Sequence, residues 1–443
     1  MLLQFNFENY RSFRDHTSID FSAAKISEHE ETVVSIGNEK VLPATVIYGA
    51  NASGKSNILS ALHTMQVWVL YSFSMRQNKN DGSQHSQSYG LPFDTFCFDQ
   101  KSADGFSTFE IFYIDGNEKT INYGFVIDSK GVVEEWLNTK AKSHQSQIKH
   151  IFYRNRIENL IDLNGIPVKQ RENIRISLAE ETLIVSLGSL LKINILQQVN
   201  DWFSNIKFID YGNIINILQI YRLAPIGIEK DDEVKKRVAK YLSSFDKSIV
   251  GIKAERLPKQ EGDNDQSLKI ETIHKMVDSD KTMTLPLSEE SDGTQKMFSM
   301  YQFIENVLNS GGVLVVDELN ARLHPLLVRN LIISFLNPTI NKNHAQILFT
   351  AHDAWLLKSG ILRRDEIWFT EKSQDGLSSL YSLADFVDAD GYKVRKDADI
   401  EKNYLIGKYG AIPSLETLDM FEYRDKSNLH SQTNMGNEGE GNE

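Results

Sequence analysis

The run Gly49-Ala50-Asn51-Ala52-Ser53-Gly54-Lys55-Ser56 sets two glycines, a lysine and a hydroxyl at the GxxxxGK[ST] spacing. That spacing has a chemical reason. The glycines let the backbone wrap until its N–H groups and a helix N-terminus point at phosphate oxygens. Lys55 then reaches the β and γ phosphates of ATP, and the Ser56 hydroxyl ligates Mg²⁺. Asn57, the next residue, is counted with this nucleotide-binding set.

Far downstream, Val313-Leu314-Val315-Val316-Asp317-Glu318 reads as a buried strand ending in two adjacent carboxylates. Strand alternation points them in different directions, which assigns Asp317 to Mg²⁺ through water and Glu318 to the hydrolytic water as a general base. Alone, such an ending is an ordinary solvated strand terminus; behind a phosphate loop it reads as catalytic. Ser291-Asp292-Gly293-Thr294 precedes the apolar-periodic run Met297, Met300, Phe303, Ile304 and Val307, a helix start with a hydroxyl and unobstructed N–H groups suited to an anion. Plain helix capping is the simpler account. A second cradle gains a use if it docks on ATP held by another copy, giving a head-to-tail pair with two nucleotides between subunits. Finally, Gln346-Ile347-Leu348-Phe349-Thr350-Ala351-His352 ends a further apolar strand in a histidine, at the sheet end where α/β folds bind ligands. His352 is therefore expected beside Glu318 and the γ-phosphate, to sense or position it.

The elements that position these groups follow from periodicity. Leu3, Phe5 and Phe7, then Ile19 and Phe21, alternate with polar residues as an N-terminal β-ribbon does. Thr45–Tyr48 is a short buried strand, and Ile58, Leu59, Leu62, Met65, Trp68 and Val69 form a helix face after the loop. The polar stretch from Met75 to Gly90 reads as a loop and a domain seam. Beyond it, two β-rich runs around Asp115-Gly116, then Val132–Leu137 and Lys149–Tyr153, predict an antiparallel sheet. Leu190–Phe203 and Asp231–Phe245 read as helices, the second capped by an Asp. Val250–Arg256 and Leu268–Ile273 are read as a return to the α/β part, which Val313–Val316, Ile347–Thr350 and Ile367–Phe369 continue. The expected division is an ATPase-core half with the phosphate loop (1–75), a mixed β and helical insertion (76–280), a second core half (281–413) and a polar tail expected to be disordered (414–443).

Composition bounds the setting. With 443 residues, 41% hydrophobic and 24% charged, the chain has the makeup of a globular protein of roughly two or three units. The single cysteine, Cys97, excludes an internal disulfide framework and a four-thiolate metal site, and fits a reducing cytoplasm. No signal-peptide pattern and no long apolar run is present, so neither export nor membrane spanning is expected. The net charge of −12 disfavours nucleic acid overall. Residues 140–175 nevertheless carry Lys140, Lys142, Lys149, Arg154, Arg156, Lys169, Arg171 and Arg175 against Glu158, Asp162 and Glu172, either a local phosphate-contacting patch or a solvated face.

The order of phosphate loop, Ser-Asp-Gly-Thr, Asp-Glu strand and strand-end histidine resembles ABC-class ATPase heads, the branch shared by SMC/Rad-type proteins, RecF and OLD-like ATPases. More narrowly, FENYRSFRD, GANASGKSN, STFEI, EEWL, DELNARLHP, FTAHD and EKNYLIGKYGAIP resemble stand-alone bacterial AAA/ABC ATPases of RloA or AbiL type. The resemblance implies an α/β fold, an ABC-type P-loop NTPase head with a β-ribbon lobe and an insertion. It also implies that Arg11 approaches the nucleotide, that Ser291 and Gly293 bind the γ-phosphate in trans, and that Asn320–His324 form the D-loop at a dimer interface. The family's glutamine-loop residue is not assigned. Two departures narrow the expectation. About 230 residues separate loop and signature without the sustained heptads of SMC arms. About 90 residues follow His352, where OLD nucleases append a Toprim domain.

The resulting expectation is a Mg²⁺-dependent ATPase that forms a homodimer or higher even-numbered oligomer and controls a separate effector, a nuclease or toxin, in phage defence, answering a phage-derived trigger. The alternative is a DNA-binding ATPase of repair or recombination, RecF/SMC-like, with nucleic acid as partner.

Overall fold

The computed structural model describes residues 1–80, 91–141, 147–213, 216, 220, 223–257, 268–358, 360–388 and 390–412, so the expected polar tail lies outside the described residues. Residues 1–412 form one compact unit. The chain opens with β1 (Leu2–Glu8) and β2 (Thr17–Asp20), paired antiparallel with Phe5 opposite Ile19, then a small hairpin of β3 (Val34–Ile36) and β4 (Glu39–Val41). β5 (Ala44–Gly49) runs into the glycine loop and α1 (Lys55–Asn80). The helix continues past Met75, where the sequence suggested a loop. Met75-Arg76-Gln77-Asn78-Lys79-Asn80 contains no Gly or Pro, and polarity by itself does not break a helix.

After the short α2 (Gln100–Ala103) come β6 (Ser107–Ile114), β7 (Thr120–Asp128), β8 (Gly131–Lys140), β9 (Lys149–Asn155) and β10 (Leu160–Asp162). With the N-terminal ribbon they build one antiparallel sheet, ordered β10-β9-β8-β7-β6-β1-β2. Helices α3 (Val168–Ser177), α4 (Ile184–Leu190) and α5 (Asn194–Ser204) lead to β11 (Ile206–Asp210). α6 (Asp232–Ser243) has Asp231 as its cap, the side chain accepting the Glu233 amide. β12 (Ile249–Arg256), β13 (Leu268–Lys275) and β14 (Thr282–Pro286) then form a separate three-stranded antiparallel sheet. This corrects the expectation that the first two rejoin the α/β part: each keeps an exposed face, which suits an antiparallel sheet and not a parallel one covered on both sides.

The remaining elements are α7 (Asp292–Ser310), β15 (Val313–Asp317), α8 (Pro325–Leu336), β16 (Gln346–Thr350), α9 (Trp355–Lys358), β17 (Ile367–Lys372), β18 (Ser378–Ser382) and α10 (Ile400–Leu405). The second sheet is ordered β11-β15-β16-β5-β17-β18, parallel except for β18. Its edge strand β11 comes from the span expected as an insertion.

Alternation along β15 divides the core. Val313 and Val315 join the cluster holding Ile58, Leu62, Met65 and Val69 of α1, so this helix packs between the two large sheets. Leu314 and Val316 join the opposite cluster, with Met297, Met300 and Ile304 of α7 and Leu331 and Ile332 of α8. Full burial of each such side chain contributes about 1.5–3 kcal/mol, so the strands are clamped at both faces and their carboxyl ends are held in a fixed row. This is an α/β architecture, a mostly parallel sheet and a large antiparallel sheet with α1 between them.

Candidate nucleotide-binding site

At the end of β5 the chain turns through Ala52, at φ 64°, and Gly54, at φ 112°, before α1 begins at Lys55. Gly49 is required by space: a Cβ there would overlap the Thr370 carbonyl. The loop is strapped from outside. The Thr370 and Ser378 hydroxyls donate to the Ser53 carbonyl at 3.1 and 2.7 Å, and Asn57 Nδ2 donates to Ser12 Oγ at 2.8 Å. Lys55 Nζ folds back on the Gly49 and Ala50 carbonyls at 2.8 and 2.9 Å. Burial holds its ammonium below the usual lysine range, while Asp317 and Glu318 act in the opposite direction.

The carboxylates sit at the end of β15, two strands away. Asp317 is buried, and its Oδ1 accepts the Thr350 hydroxyl at 2.5 Å. Glu318 leaves the strand at φ 54°, a left-handed conformation costly for a non-glycine residue. β15 ends at Asp317, so Glu318 stands in the turn after the strand, and its direction is set by that turn, not by the strand alternation that the sequence suggested. Thr350 also fixes the second carboxylate, accepting the Glu318 amide at 2.8 Å. His352 follows β16, its Nε2 3.6 Å from Glu318 Oε1, with Lys55 close enough to help burial lower its pKa.

A cavity of about 610 Å³ reaches Ser56 and Asp317, with Arg11, His63 and Asp210 among its other lining residues. Arg11 is half-exposed and paired with Asp94 at 2.9 Å on its wall. Asp210 was missed by sequence reasoning. It ends β11 in register with Asp317, and its carboxylate accepts the Gly212 amide at 2.8 Å and the Asn216 amide at 2.9 Å. A Cβ on Gly212 would stand 3.3 Å from Asp210 Oδ1, 3.6 Å from Asp317 Oδ2 and 3.6 Å from Glu318 Oε1, so three carboxylates meet at this floor. The available signal was an apolar run ending in Asp-Tyr-Gly-Asn, hidden by its place in the insertion.

Ser291 caps α7, its Oγ accepting the Thr294 amide at 3.2 Å, and Asp292 pairs with Arg322 at 3.3 Å. Gly293 is open on its α-carbon side, with nothing nearer a built Cβ than the Arg322 carbonyl at 3.5 Å. Among the described residues, no hydrogen bond or ion pair joins residues 291–294 to 49–57. The chain gathers Lys55, Ser56, Asp317, Glu318 and His352 at one end of the sheet, while the Ser-Asp-Gly-Thr turn is tied to the turn after β15 through Asp292 and Arg322. Asn320 Nδ2 reaches Asp353 at 3.3 Å, and His324 caps α8 by accepting the Leu326 amide.

Three arginines of the basic stretch have partners within the chain. Arg154 is buried against Glu135, whose carboxylate also caps α4 through the Ile184 and Val185 amides. Arg156 pairs with Asp128, and Arg171 donates to the Ile166 and Asn164 carbonyls. Lys149, Lys169 and Arg175 are exposed, and Lys142 lies outside the described residues.

Residues 44–358 match the family described as "AAA domain, putative AbiEii toxin, Type IV TA system". No curated protein matches the chain. Among solved structures, the chain is similar to an SmcHead bound to the C-winged helix domain of ScpA, at 14% identity over 86% of this chain and 97% of that one, TM-score 0.43. It is also similar to the recombination mediator protein RecF with ATP, at 12% identity over 86% and 99%, TM-score 0.34. Among the described residues, no helix is long and apolar enough to cross a membrane.

Proposed function

The chain belongs to the AAA-domain family whose profile spans residues 44–358, and on that premise we propose that it is an ATP-hydrolysing switch. One observation carries the reading: the phosphate loop, two carboxylates of different environment and a histidine converge at the carboxyl ends of adjacent parallel strands. Gly49–Asn57 would cradle the phosphates, with Lys55 exchanging its two carbonyl partners for β and γ oxygens. Glu318 would polarise the attacking water, and His352, 3.6 Å from Glu318, would contact the γ-phosphate. Ser56 and Asp317 present a hydroxyl and a carboxylate to one cavity, hard oxygen donors that fit Mg²⁺. Bound there, the ion would neutralise phosphate charge as it does in other P-loop enzymes.

The open turn at Ser291 and Gly293, which makes no hydrogen bond or ion pair to residues 49–57 among the described residues, supports docking on nucleotide held by a second copy in a homodimer or larger even-numbered assembly. ATP would then act by binding the closed assembly more tightly than the open one. We extend the reading to control of a toxic effector in phage defence; the family description, which names a putative toxin and a type IV TA system, supports a toxic output. The deciding experiment is ATP turnover and size measurement of Glu318→Gln. It should bind ATP, hydrolyse it at least 100-fold more slowly and accumulate the closed oligomer; an unchanged monomer with ATP rejects the composite site. The DNA-binding reading keeps exposed Lys149, Lys169 and Arg175, and absence of a gel shift with duplex DNA at low salt removes it.

A further inference from the structure

Lys296 lies one turn into α7, five residues after Ser291, and only 1% of it is exposed. A buried ammonium needs partners for its three protons, since leaving them unpaired costs several kcal/mol. Its partners come from one place. Nζ lies 2.6 Å from the Ala321 carbonyl, 2.9 Å from that of Leu319 and 3.4 Å from that of Glu318. Its remaining side faces the Tyr211 ring, 3.8 Å from the centroid, and the Tyr211 amide in turn bonds the Asp317 carbonyl at 3.3 Å. The turn that receives it is strained at both ends, Glu318 at φ 54° and Arg322 at φ 59°. Such backbone persists only where surrounding groups over-determine it. Thr350 holds the amide side of Glu318, and Lys296 holds the carbonyl side.

We propose that Lys296 is a positioning residue for ATP hydrolysis: by gathering three carbonyls of the 318–321 turn onto α7, it fixes the direction of the Glu318 carboxylate. The Asp292–Arg322 pair is a second, exposed tie between the same helix and the same turn. Because α7 begins at Ser291, the residue that would dock on a second copy's nucleotide, a shift of the helix start is passed through Lys296 to the chain's own Glu318. The proposal rests on reading Glu318 as the base, and its test separates the two.

Lys296→Met, Lys296→Gln and Glu318→Gln are compared with the full-length protein for ATP turnover, fluorescent-nucleotide affinity and hydrogen exchange at residues 318–322. Met keeps the length of the side chain and removes the donors; Gln keeps donors. Lys296→Met should lower kcat 10- to 100-fold with nucleotide Kd within twofold and speed exchange in the turn. Lys296→Gln should recover part of both, and Lys296→Met should add nothing to the loss caused by Glu318→Gln. Unchanged kcat and exchange in Lys296→Met overturn the proposal. So does a parallel fall of affinity and kcat, or failure of both Lys296 variants to fold, since each describes a structural role only. If Glu318→Gln hydrolyses ATP normally, the base assignment falls, and the exchange data alone then decide whether Lys296 holds the turn.

Discussion

Thr350 and Asp317 share one short hydrogen bond, the hydroxyl donating to Oδ1 at 2.5 Å, and the same oxygen of Thr350 receives the Glu318 amide at 2.8 Å. One side chain on β16 thereby orients both carboxylates of β15. Thr350→Val keeps the shape but strands a buried carboxylate oxygen and a buried amide. It should destabilise the fold by roughly 1–3 kcal/mol and reduce kcat about 100-fold, while Thr350→Ser stays close to wild type. Chemical denaturation and steady-state ATP turnover of the two variants check this; equal behaviour of Val and Ser would discard it.

Gly49→Ala tests the closeness of the loop to β17. The added methyl meets Ser53 Oγ and the Thr370 carbonyl, the latter fixed in the backbone of β17. Repacking should cost about 1–3 kcal/mol, and because the loop must open to relieve the clash, nucleotide affinity should drop at least tenfold. Gly212→Ala, whose methyl would make ordinary contact with Asp317 and Glu318, should fold and bind ATP close to wild type. Isothermal titration with ATP separates the two outcomes.

Local patterns made most of the site legible. The glycine loop, Asp317-Glu318 and His352 each end a run of apolar residues, and a strand end is marked by neighbours in sequence. Asp210 was not, because what makes it part of the floor is a parallel pairing with β15 more than 100 residues away. Lys296 carried no mark either: a lysine in an amphipathic helix reads as solvent-facing until three carbonyls from another turn surround it. Conversely, Arg154 and Arg156 read as surface charge and prove to be internal, since sequence counts charges without their partners.

Glu366 predicts how stability changes with pH. It is fully buried at the start of β17. Oε2 accepts the Arg363 amide at 2.8 Å, and no hydrogen-bond partner reaches Oε1 among the described residues. Burial pushes its carboxyl up to about 8, with Asp365 adding to the rise and Arg363 opposing it. Between about 4.5 and about 8 the folded chain then holds a proton that the unfolded chain releases, so this group's contribution to stability falls as pH rises through that window. Glu366→Gln should remove the slope and gain roughly 1–3 kcal/mol over wild type at pH 8 relative to pH 5. Urea melts at both values measure it; parallel curves for the two proteins would rule it out.

His352 titrates in the opposite sense. Burial and the nearby Lys55 hold its imidazole below 6.5, outweighing Glu318 and Asp317, so it is neutral at pH 7. As pH falls below 6.5 the unfolded chain takes up the proton first, and the histidine opposes folding progressively until its own lowered pKa is passed. Turnover should follow the same group. A neutral imidazole beside Glu318 leaves the carboxylate free to accept a proton from water, whereas an imidazolium 3.6 Å away would favour its ionised, hydrogen-bonded form and make it a weaker base. The acid limb of kcat should therefore begin below pH 6.5. His352→Gln, which cannot ionise, should lower kcat about tenfold at pH 7.5 yet shift that limb toward the carboxylate range. An unchanged limb in His352→Gln would assign the titration to another group.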